Sequence, residues 1–342
     1  METESKAKWM HSGKFGLMVH WLAPGPPPQY GPQVADVNRA VDAFDLDRFL
    51  EDFRRTQADW LIFTIGQNTG YYASPNTVLD RLAGSGRCSQ RDLVMEIAKR
   101  VKALGCRFIA YLPCEVAGQS DQIKHAFGWE TKEGTGQEEF QRRYTEFVRE
   151  YSLRLGTLLD GWWFDGAYTW PLFHSSLING DLFFDAARAG NPNSAIAFND
   201  GSLCCGYSRP VVAGQDYLAG EAEVLVNGKI RYGRLKESPL FVPAGHLPQP
   251  PPTCIWHALL PIDCMWAHGW GFAPLQNSPY HIASPEPGTM ERPLYPTSDL
   301  QVLLQDFKSV GGGVTFNVGI FQEGGLGEQT VAQLGELSSR LG

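Results

Sequence analysis

The sequence lacks the patterns by which several classes of protein are recognised. Its seven cysteines include no CxxC spacing, which argues against a metal site, and their odd number favours free thiols over a disulfide framework. No lysine and arginine run accompanies the net charge of -8, so nucleic acid is a poor candidate partner. No window approaches the ~20 apolar residues of a membrane span, and the N-terminus has no apolar signal segment. We therefore expect a cytoplasmic protein without membrane contact.

The composition is that of a folded chain with a large core. Of the 342 residues, 43% are hydrophobic and 12% are aromatic, which provides ample apolar surface to bury. The length lies inside the range that α/β barrels occupy as one unit. We expect a single domain over residues 1–342, and the sequence does not indicate its oligomeric state.

Short apolar runs alternate with amphipathic segments, which is typical of repeated βα units. Strands are predicted at 15–20, 60–65, 107–112, 159–165, 195–199 and 313–318. Helices are predicted at about 45–55, 90–105, 137–155, 298–309 and 328–341. The stretch 201–296 is loop-rich, and we expect strands six and seven within 211–217 and 253–266. The predicted fold class is therefore α/β, a single-domain (β/α)8 TIM barrel.

The active site of such a barrel lies in the loops that follow the C-terminal ends of the strands. Polar residues that end or closely follow the apolar runs are therefore the candidates. They are His20, Gln67, Asn68, Glu115, Asp165, Asn199 and Asp200, with Asp216 and Glu221 a little beyond the fifth strand.

Asp165 is the sharpest candidate because it leaves an aromatic, poorly solvated strand directly after Gly-Trp-Trp-Phe (161–164). Such a carboxylate suits a nucleophile, and a retaining glycosidase needs a second carboxyl group about 5–5.5 Å away. The alternative is that Asp165 and Gly166 form an ordinary Asp-Gly turn. Trp162 and Trp163 point to opposite faces of a strand, so at least one of them is expected to serve packing.

The other candidates also have structural interpretations. His20 could be a core histidine with its hydrogen bonds satisfied, and Gln67 and Asn68 could cap a loop. Glu221, in a glycine-containing loop, could be an ordinary surface residue.

Six segments carry a family resemblance in the order in which they occur. They are Lys14–Trp21, Arg91–Val94 followed by Tyr111, Leu159–Gly166, Ala197–Asp200, Asp216–Glu221 and Gly311–Gly319. They resemble motifs of the α-L-fucosidases, family 29 of the glycoside hydrolases, for example KFGIFIHWG at the start and GGNLLLNVGP at the end. The resemblance spans nearly the whole chain.

The resemblance implies roles for the candidate residues. The family's nucleophile corresponds to Asp165, and its general acid corresponds to Glu221. Glu115 is the reserve candidate for the acid, and Glu223 comes after it. Ring hydroxyls would be held by His20, Gln67, Asn68 and Asn199, and the walls would be formed by Trp21, Tyr71, Trp163 and Trp256.

The chain departs from the family pattern in three places. Where the family has Lys-His-His-Asp-Gly-Phe after the second strand, residues 66–71 read Gly-Gln-Asn-Thr-Gly-Tyr, so a Gln-Asn pair replaces two histidines. Amides form hydrogen bonds but carry no proton or positive charge at neutral pH. Ala219 and Gly220 replace a Thr-Pro pair, and no C-terminal β-sandwich is expected because the chain ends soon after the last barrel helix.

The sequence thus favours retaining hydrolysis of an α-linked, α-L-fucoside-like sugar in a small molecule or oligosaccharide. This chemistry requires no cofactor. The alternatives are a lyase, isomerase or transglycosylase that acts on a small glycosylated metabolite, and a non-catalytic carbohydrate-binding barrel.

Overall fold

The computed structural model describes residues 4–341 except 24, 169–172, 174, 202–209, 222–252, 265 and 270–285. Within these ranges, no helix is both long enough and apolar enough to cross a membrane.

The fold is α/β and is built on one curled parallel sheet. Its seven strands in the described part of the chain are β1 Gly16–Val19, β2 Trp60–Thr64, β3 Arg107–Pro113, β4 Gly161–Asp165, β5 Ala195–Phe198, β6 His257–Pro261 and β7 Gly313–Val318. Their order in the sheet is β5-β4-β3-β2-β1-β7-β6, and every neighbouring pair is parallel. The six strands predicted outside 201–296 are confirmed, each within two residues.

Helices connect the strands, as parallel pairing requires. They are α1 Trp9–Ser12, α2 Val37–Asp42, α3 Leu46–Thr56, α4 Thr77–Ala83, α5 Leu93–Ala103, α6 Asp121–Phe127, α7 Glu138–Leu155, α8 Gly180–Ala187, α9 Thr297–Ser309 and α10 Glu328–Arg340. The five predicted helices are all present. Helix α1 and the short helices α2, α4, α6 and α8 were not predicted. Helices α2, α4 and α8 begin after the capping residues Asp36, Asn76 and Asn179, whose side chains each accept a backbone N–H.

Alternate residues of the strands pack into two cores, one between the sheet and the helices and one inside the curled sheet. Trp162 packs outward between the sheet and the helices, stacked on Phe164 with 5.4 Å between ring centroids. Trp163 points into the curled sheet and stacks on Tyr111 at 5.2 Å. The outward tryptophan therefore serves packing, and the inward one is available to the cavity at the mouth of the sheet.

The interior of the sheet also contains a chain of hydrogen bonds below that cavity. The Trp60 indole donates to Thr315 Oγ1 at 2.8 Å, and Thr315 Oγ1 lies 2.8 Å from His257 Nε2. His257 Nδ1 lies 3.1 Å from the carbonyl oxygen of Leu218 and 3.0 Å from that of Ala219. Since carbonyl oxygens only accept, the imidazole carries its proton on Nδ1 and accepts the threonine hydroxyl on Nε2.

The prediction for 201–296 is only partly right. Strand β6 lies within 253–266 as expected, but 211–217 forms no regular strand. Instead, residues 216–221 lie between β5 and β6 and are held by single backbone bonds, including Asp216 N to Ile196 O at 2.8 Å and Leu259 N to Gly220 O at 2.8 Å. The pleat is interrupted because Gly220 has a positive φ of 70°. The rest of 201–296 lies largely outside the described residues.

Asp216 anchors the start of this segment. Its Oδ2 accepts from Arg188 at 2.6 Å and from the Ile196 N–H at 2.8 Å, while Oδ1 accepts from the Lys6 N–H at 3.2 Å. The hydroxyl of Ser5 donates to its backbone carbonyl at 2.6 Å. These bonds fix the segment at one end, and the chain runs from there towards Glu221 at the C-terminal end of the sheet.

Candidate active site

A cavity of about 480 Å³ opens at the C-terminal ends of the strands. This is within the ordinary size range of small-molecule sites. Its described lining consists of His20, Gln67, Asn68, Glu115, Ala117, Gly118, Trp163, Asp165, Gly166, Tyr168, Asn199, Glu221 and Trp266.

Asp165 lies at the end of β4 and accepts four hydrogen bonds. Its Oδ1 accepts from Gly166 N at 2.9 Å, Tyr168 Oη at 2.8 Å and Asn199 Nδ2 at 2.8 Å. Its Oδ2 accepts from Tyr111 Oη at 2.5 Å. Hydrogen bonds to a carboxylate are stronger than neutral ones, so this arrangement stabilises negative charge on Asp165. The interpretation as an ordinary Asp-Gly turn accounts for only one of these bonds.

The two tyrosines remain donors at any physiological pH. Burial raises the pKa of Tyr111 and that of Tyr168 well above 10, and the neighbouring charge of Asp165 raises both further. Neither tyrosine was predicted from the sequence to contact Asp165. The position of Tyr111 could have indicated the contact, because Tyr111 pairs with Trp163 across β3 and β4 and therefore points inward with it.

Asn199 joins Asp165 to Glu221. Its single amide nitrogen lies 2.8 Å from Asp165 Oδ1 and 2.5 Å from Glu221 Oε2. The two carboxylate oxygens are therefore at most 5.3 Å apart, the sum of these two bonds. Glu221 is only 7% exposed, so it is not the surface residue that the sequence also allowed.

Glu115, after β3, brings a third carboxyl group to the same cavity. It is 7% exposed, and its Oε2 accepts from the Ala117 N–H. Burial raises the pKa of Glu115 to about 7; the Ala117 hydrogen bond opposes this shift and the charge of Asp165 adds to it. At neutral pH this group is therefore close to its own titration point.

His20 follows β1 and lines the cavity while being almost fully buried. Its Nδ1 lies 2.9 Å from Asn317 Oδ1, and its ring contacts the edges of Tyr111 and Trp266 at centroid distances of 5.2 and 5.9 Å. Burial lowers the pKa of His20, against smaller opposing effects of Asn317 and of the Asp165 charge. The ring is therefore neutral near pH 7, with one nitrogen able to accept a hydrogen bond.

Gln67 and Asn68 follow β2 and both line the cavity, but Gln67 is buried and Asn68 is exposed. Gln67 is 7% exposed, and its buried Oε1 has no hydrogen-bond partner among the described residues. Asn68 is exposed at the rim, where its side chain contacts Gly118. A buried acceptor without a partner in a cavity wall is suited to receive a donor from a bound molecule.

Three predicted wall residues lie away from the cavity. Trp21 packs edge-on against Phe44 and donates to Gln322 O at 2.9 Å, because it alternates with His20 and faces outward. Tyr71 lies beneath the Arg87 guanidinium, 5.0 Å from its ring centroid.

Trp256 directly precedes β6, so it lies at the end of the sheet opposite to the cavity and packs in the outer core. Trp266, which the sequence reading did not select, lines the cavity instead. Glu223 lies outside the described residues. No group of three or more His, Cys, Asp or Glu arranged to hold a metal ion occurs within the described ranges.

Comparisons with known proteins give matches in structure but not in sequence. No protein-family model matches the chain, and no curated protein matches it either.

Solved structures of glycosidases share its fold. The endo-fucoidan hydrolase P5AFcnA of glycoside hydrolase family 107 aligns over 98% of this chain and 93% of its own, with a TM-score of 0.66 and 14% identity. The α-L-fucosidase AlfC from Lactobacillus casei aligns over 98% of both chains, with a TM-score of 0.58 and 15% identity. The chain spans about half the length, 53%, of the endo-fucoidan hydrolase MfFcnA4, with a TM-score of 0.66 and 16% identity.

Proposed function

We propose that residues 1–342 form a (β/α)8 barrel in which 216–221 takes the place of a regular sixth strand, and that the chain is a retaining glycoside hydrolase. The substrate is an α-linked, α-L-fucoside-like sugar in a small molecule or oligosaccharide. The observation that carries the proposal is the pair of carboxyl groups joined by Asn199, with oxygens of Asp165 and Glu221 at most 5.3 Å apart. Retaining enzymes hold their two carboxyl groups about 5–5.5 Å apart, whereas inverting enzymes leave about 6.5–9.5 Å. The fold shared with an endo-fucoidan hydrolase and an α-L-fucosidase supports the same class of chemistry.

In the first step, Asp165 attacks the anomeric carbon. Its Oδ2 is the better placed oxygen, because Oδ1 already accepts three hydrogen bonds and Oδ2 accepts one, from Tyr111. The bond from the anomeric carbon to Oδ2 forms as the bond to the leaving oxygen breaks, and Glu221 protonates that oxygen. In the second step, Glu221 takes a proton from water, which attacks the same carbon and releases Asp165.

The rest of the cavity suits a sugar ring. Trp163 and Trp266 provide flat apolar surface, and the unpartnered Gln67 Oε1 can accept a ring hydroxyl. His20 and Asn68 add further polar contacts on the same wall.

The nucleophile is tested with a panel of aryl α-glycosides, including the α-L-fucoside. Asp165→Ala should lose more than about 1,000-fold in kcat, and added azide should restore turnover by forming a glycosyl azide. Asp181→Ala, at an exposed position away from the cavity, is the matched control. An aryl glycoside that wild type and Asp165→Ala cleave equally well would rule out the assignment.

The reaction type is tested on the same substrates. NMR of the first product should show the α-anomer, and hydrolysis in ¹⁸O-labelled water should add one labelled oxygen. A lyase or isomerase adds no water, and a transglycosylase gives a glycoside as product.

Among the described residues, Glu115 competes with Glu221 for the acid role, because its pKa of about 7 suits an acid at neutral pH. Glu221→Gln should slow substrates with poor leaving groups far more than activated aryl glycosides, while Glu115→Gln should affect both alike. The opposite pattern would transfer the acid role to Glu115.

A further inference from the structure

The hydrogen bonds of Asn199 are directed at the enzyme rather than at the open cavity. An amide nitrogen has two hydrogens, and those of Asn199 face Asp165 Oδ1 at 2.8 Å and Glu221 Oε2 at 2.5 Å, with the Tyr168 hydroxyl farther away at 3.4 Å. Its Oδ1 accepts from the Gly201 N–H at 3.1 Å. The side chain is 1% exposed. Rotating the amide by 180° would set its oxygen against two carboxylates and its NH₂ against an N–H, so the chemistry fixes its orientation.

We propose that Asn199 is a positioning residue that holds the nucleophile Asp165 and the acid Glu221 together, and that it does not bind substrate hydroxyls. This inference rests on the proposed function, and it replaces the sugar-binding role that the resemblance gave to Asn199.

The amide favours one oxygen of Glu221 as the carrier of the catalytic proton. The carbonyl oxygen of a protonated carboxyl group is its better acceptor, so the Asn199 N–H at 2.5 Å favours Oε2 as that oxygen and Oε1 as the one that carries the hydrogen. A hydrogen on Oε1 is not on the oxygen that Asn199 bridges to Asp165. This disfavours the sharing of one proton between the two carboxyl groups, which would neutralise the nucleophile.

The amide also donates a hydrogen bond to whichever carboxyl group of the pair is ionised, in both stages of the reaction. The proposed mechanism requires an ionised Asp165 and a protonated Glu221 before attack. In the glycosyl-enzyme, Asp165 is an ester and Glu221 is ionised. The pair carries one negative charge each time, and Asn199 donates to the charged member in both. A third carboxylate at this position would repel both partners and would supply no donor.

The first test needs no substrate and therefore does not depend on the proposed function. Asn199→Asp is nearly isosteric, and NMR titration of ¹³C-labelled carboxyl groups should show the pKa values of Asp165 and Glu221 raised by at least about one unit. Asn193→Asp, which adds the same charge at an exposed position, is the control and should leave both unchanged. The other titratable groups around the pair, Tyr111, Tyr168, His20 and Glu115, are kept in every variant. Unchanged carboxyl titrations in Asn199→Asp would overturn the inference.

The second test uses the substrate found with the aryl glycoside panel. A positioning role predicts that Asn199→Asp lowers kcat more than about 100-fold, leaves KM within about threefold, and moves both limbs of the pH profile upward. Asn199→Ser retains one donor and should fall between wild type and Asn199→Asp; it also provides the comparison if the aspartate variant does not fold. A raised KM with kcat and pH profile preserved would assign Asn199 to substrate binding and overturn the inference. Absence of glycosidase activity in wild type would refute the proposed function alone.

Discussion

Gly220 is the residue on which the position of Glu221 most directly depends. Its φ is 70°, and a Cβ built on it would lie 1.9 Å from the carbonyl oxygen of His257, where real Cβ atoms essentially never come closer than 3.0 Å. Gly220→Ala therefore requires the backbone to shift by more than 1 Å. The left-handed conformation costs about 1–2 kcal/mol for alanine, and overpacking costs about 1–3 kcal/mol more.

We expect Gly220→Ala to lower the free energy of unfolding by about 2–5 kcal/mol in urea titrations. Because Asn199 reaches Glu221 through a bond of 2.5 Å, a shift of 1 Å should also lower kcat by about 100-fold. The matched control is Gly105→Ala, with a φ of 79° and nothing within 4 Å of its Cβ, which should lose only the conformational part. Equal stability of the two variants, with full activity in Gly220→Ala, would refute the reasoning.

Three further predictions concern the surroundings of the site. Asp216→Ala should lower the free energy of unfolding by about 3–5 kcal/mol in urea titrations, because it removes the carboxylate partner of the partly buried Arg188 and leaves the N–H groups of Lys6 and Ile196 without an acceptor. Gln67→Met should leave the melting temperature nearly unchanged, since Oε1 has no partner to lose among the described residues, yet lower kcat/KM by about tenfold or more in steady-state kinetics. Burial lowers the pKa of His257 to about 4, below its ordinary value of 6.5, so the unfolded state binds the proton first as pH falls. As the pH falls from about 6.5 to 4, the free energy of unfolding of wild type should therefore decrease by on the order of 3 kcal/mol relative to that of His257→Gln. A constant difference between the two unfolding free energies across that window would contradict this.

The sequence predicted the main strands and helices of the fold because buried faces produce apolar runs in strands and amphipathic patterns in helices. Strand β4 is a continuous apolar run that ends in a carboxylate, and such a run identifies both the strand and the residue at its mouth. The segment 211–217 begins with the apolar run Val-Val-Ala, but the attachments of Asp216 depend on distant residues such as Arg188 and Lys6. No local pattern contains that information.

The site was predicted less completely than the fold. Asp165, Glu221, Glu115 and Gln67 were selected by their place after strands, and the structure brings them to one cavity. Trp256 was predicted to form a wall of the site, but it precedes β6 and lies at the other end of the sheet. An aromatic residue beside a strand indicates a place in the site only when the end of the strand at which it lies is known.

The partners of Asp165 required three-dimensional information as well. Tyr111 belongs to another strand, and the function of Asn199 depends on which of its atoms face which carboxylate. A sequence records that a polar residue is present, but it does not record the direction of its hydrogen bonds.

The way in which residues 216–221 join the sheet has a consequence for heat tolerance. Beyond the anchored Asp216, isolated backbone bonds at Leu218 and Leu259 hold this segment, whereas β7 is paired along its length with both neighbours. The amide of Leu218 should therefore exchange its hydrogen with solvent sooner than those within β7. On warming, Glu221 should move away from Asp165 before the sheet melts, so the proposed activity should be lost, and recovered on cooling, at temperatures where the chain is still folded.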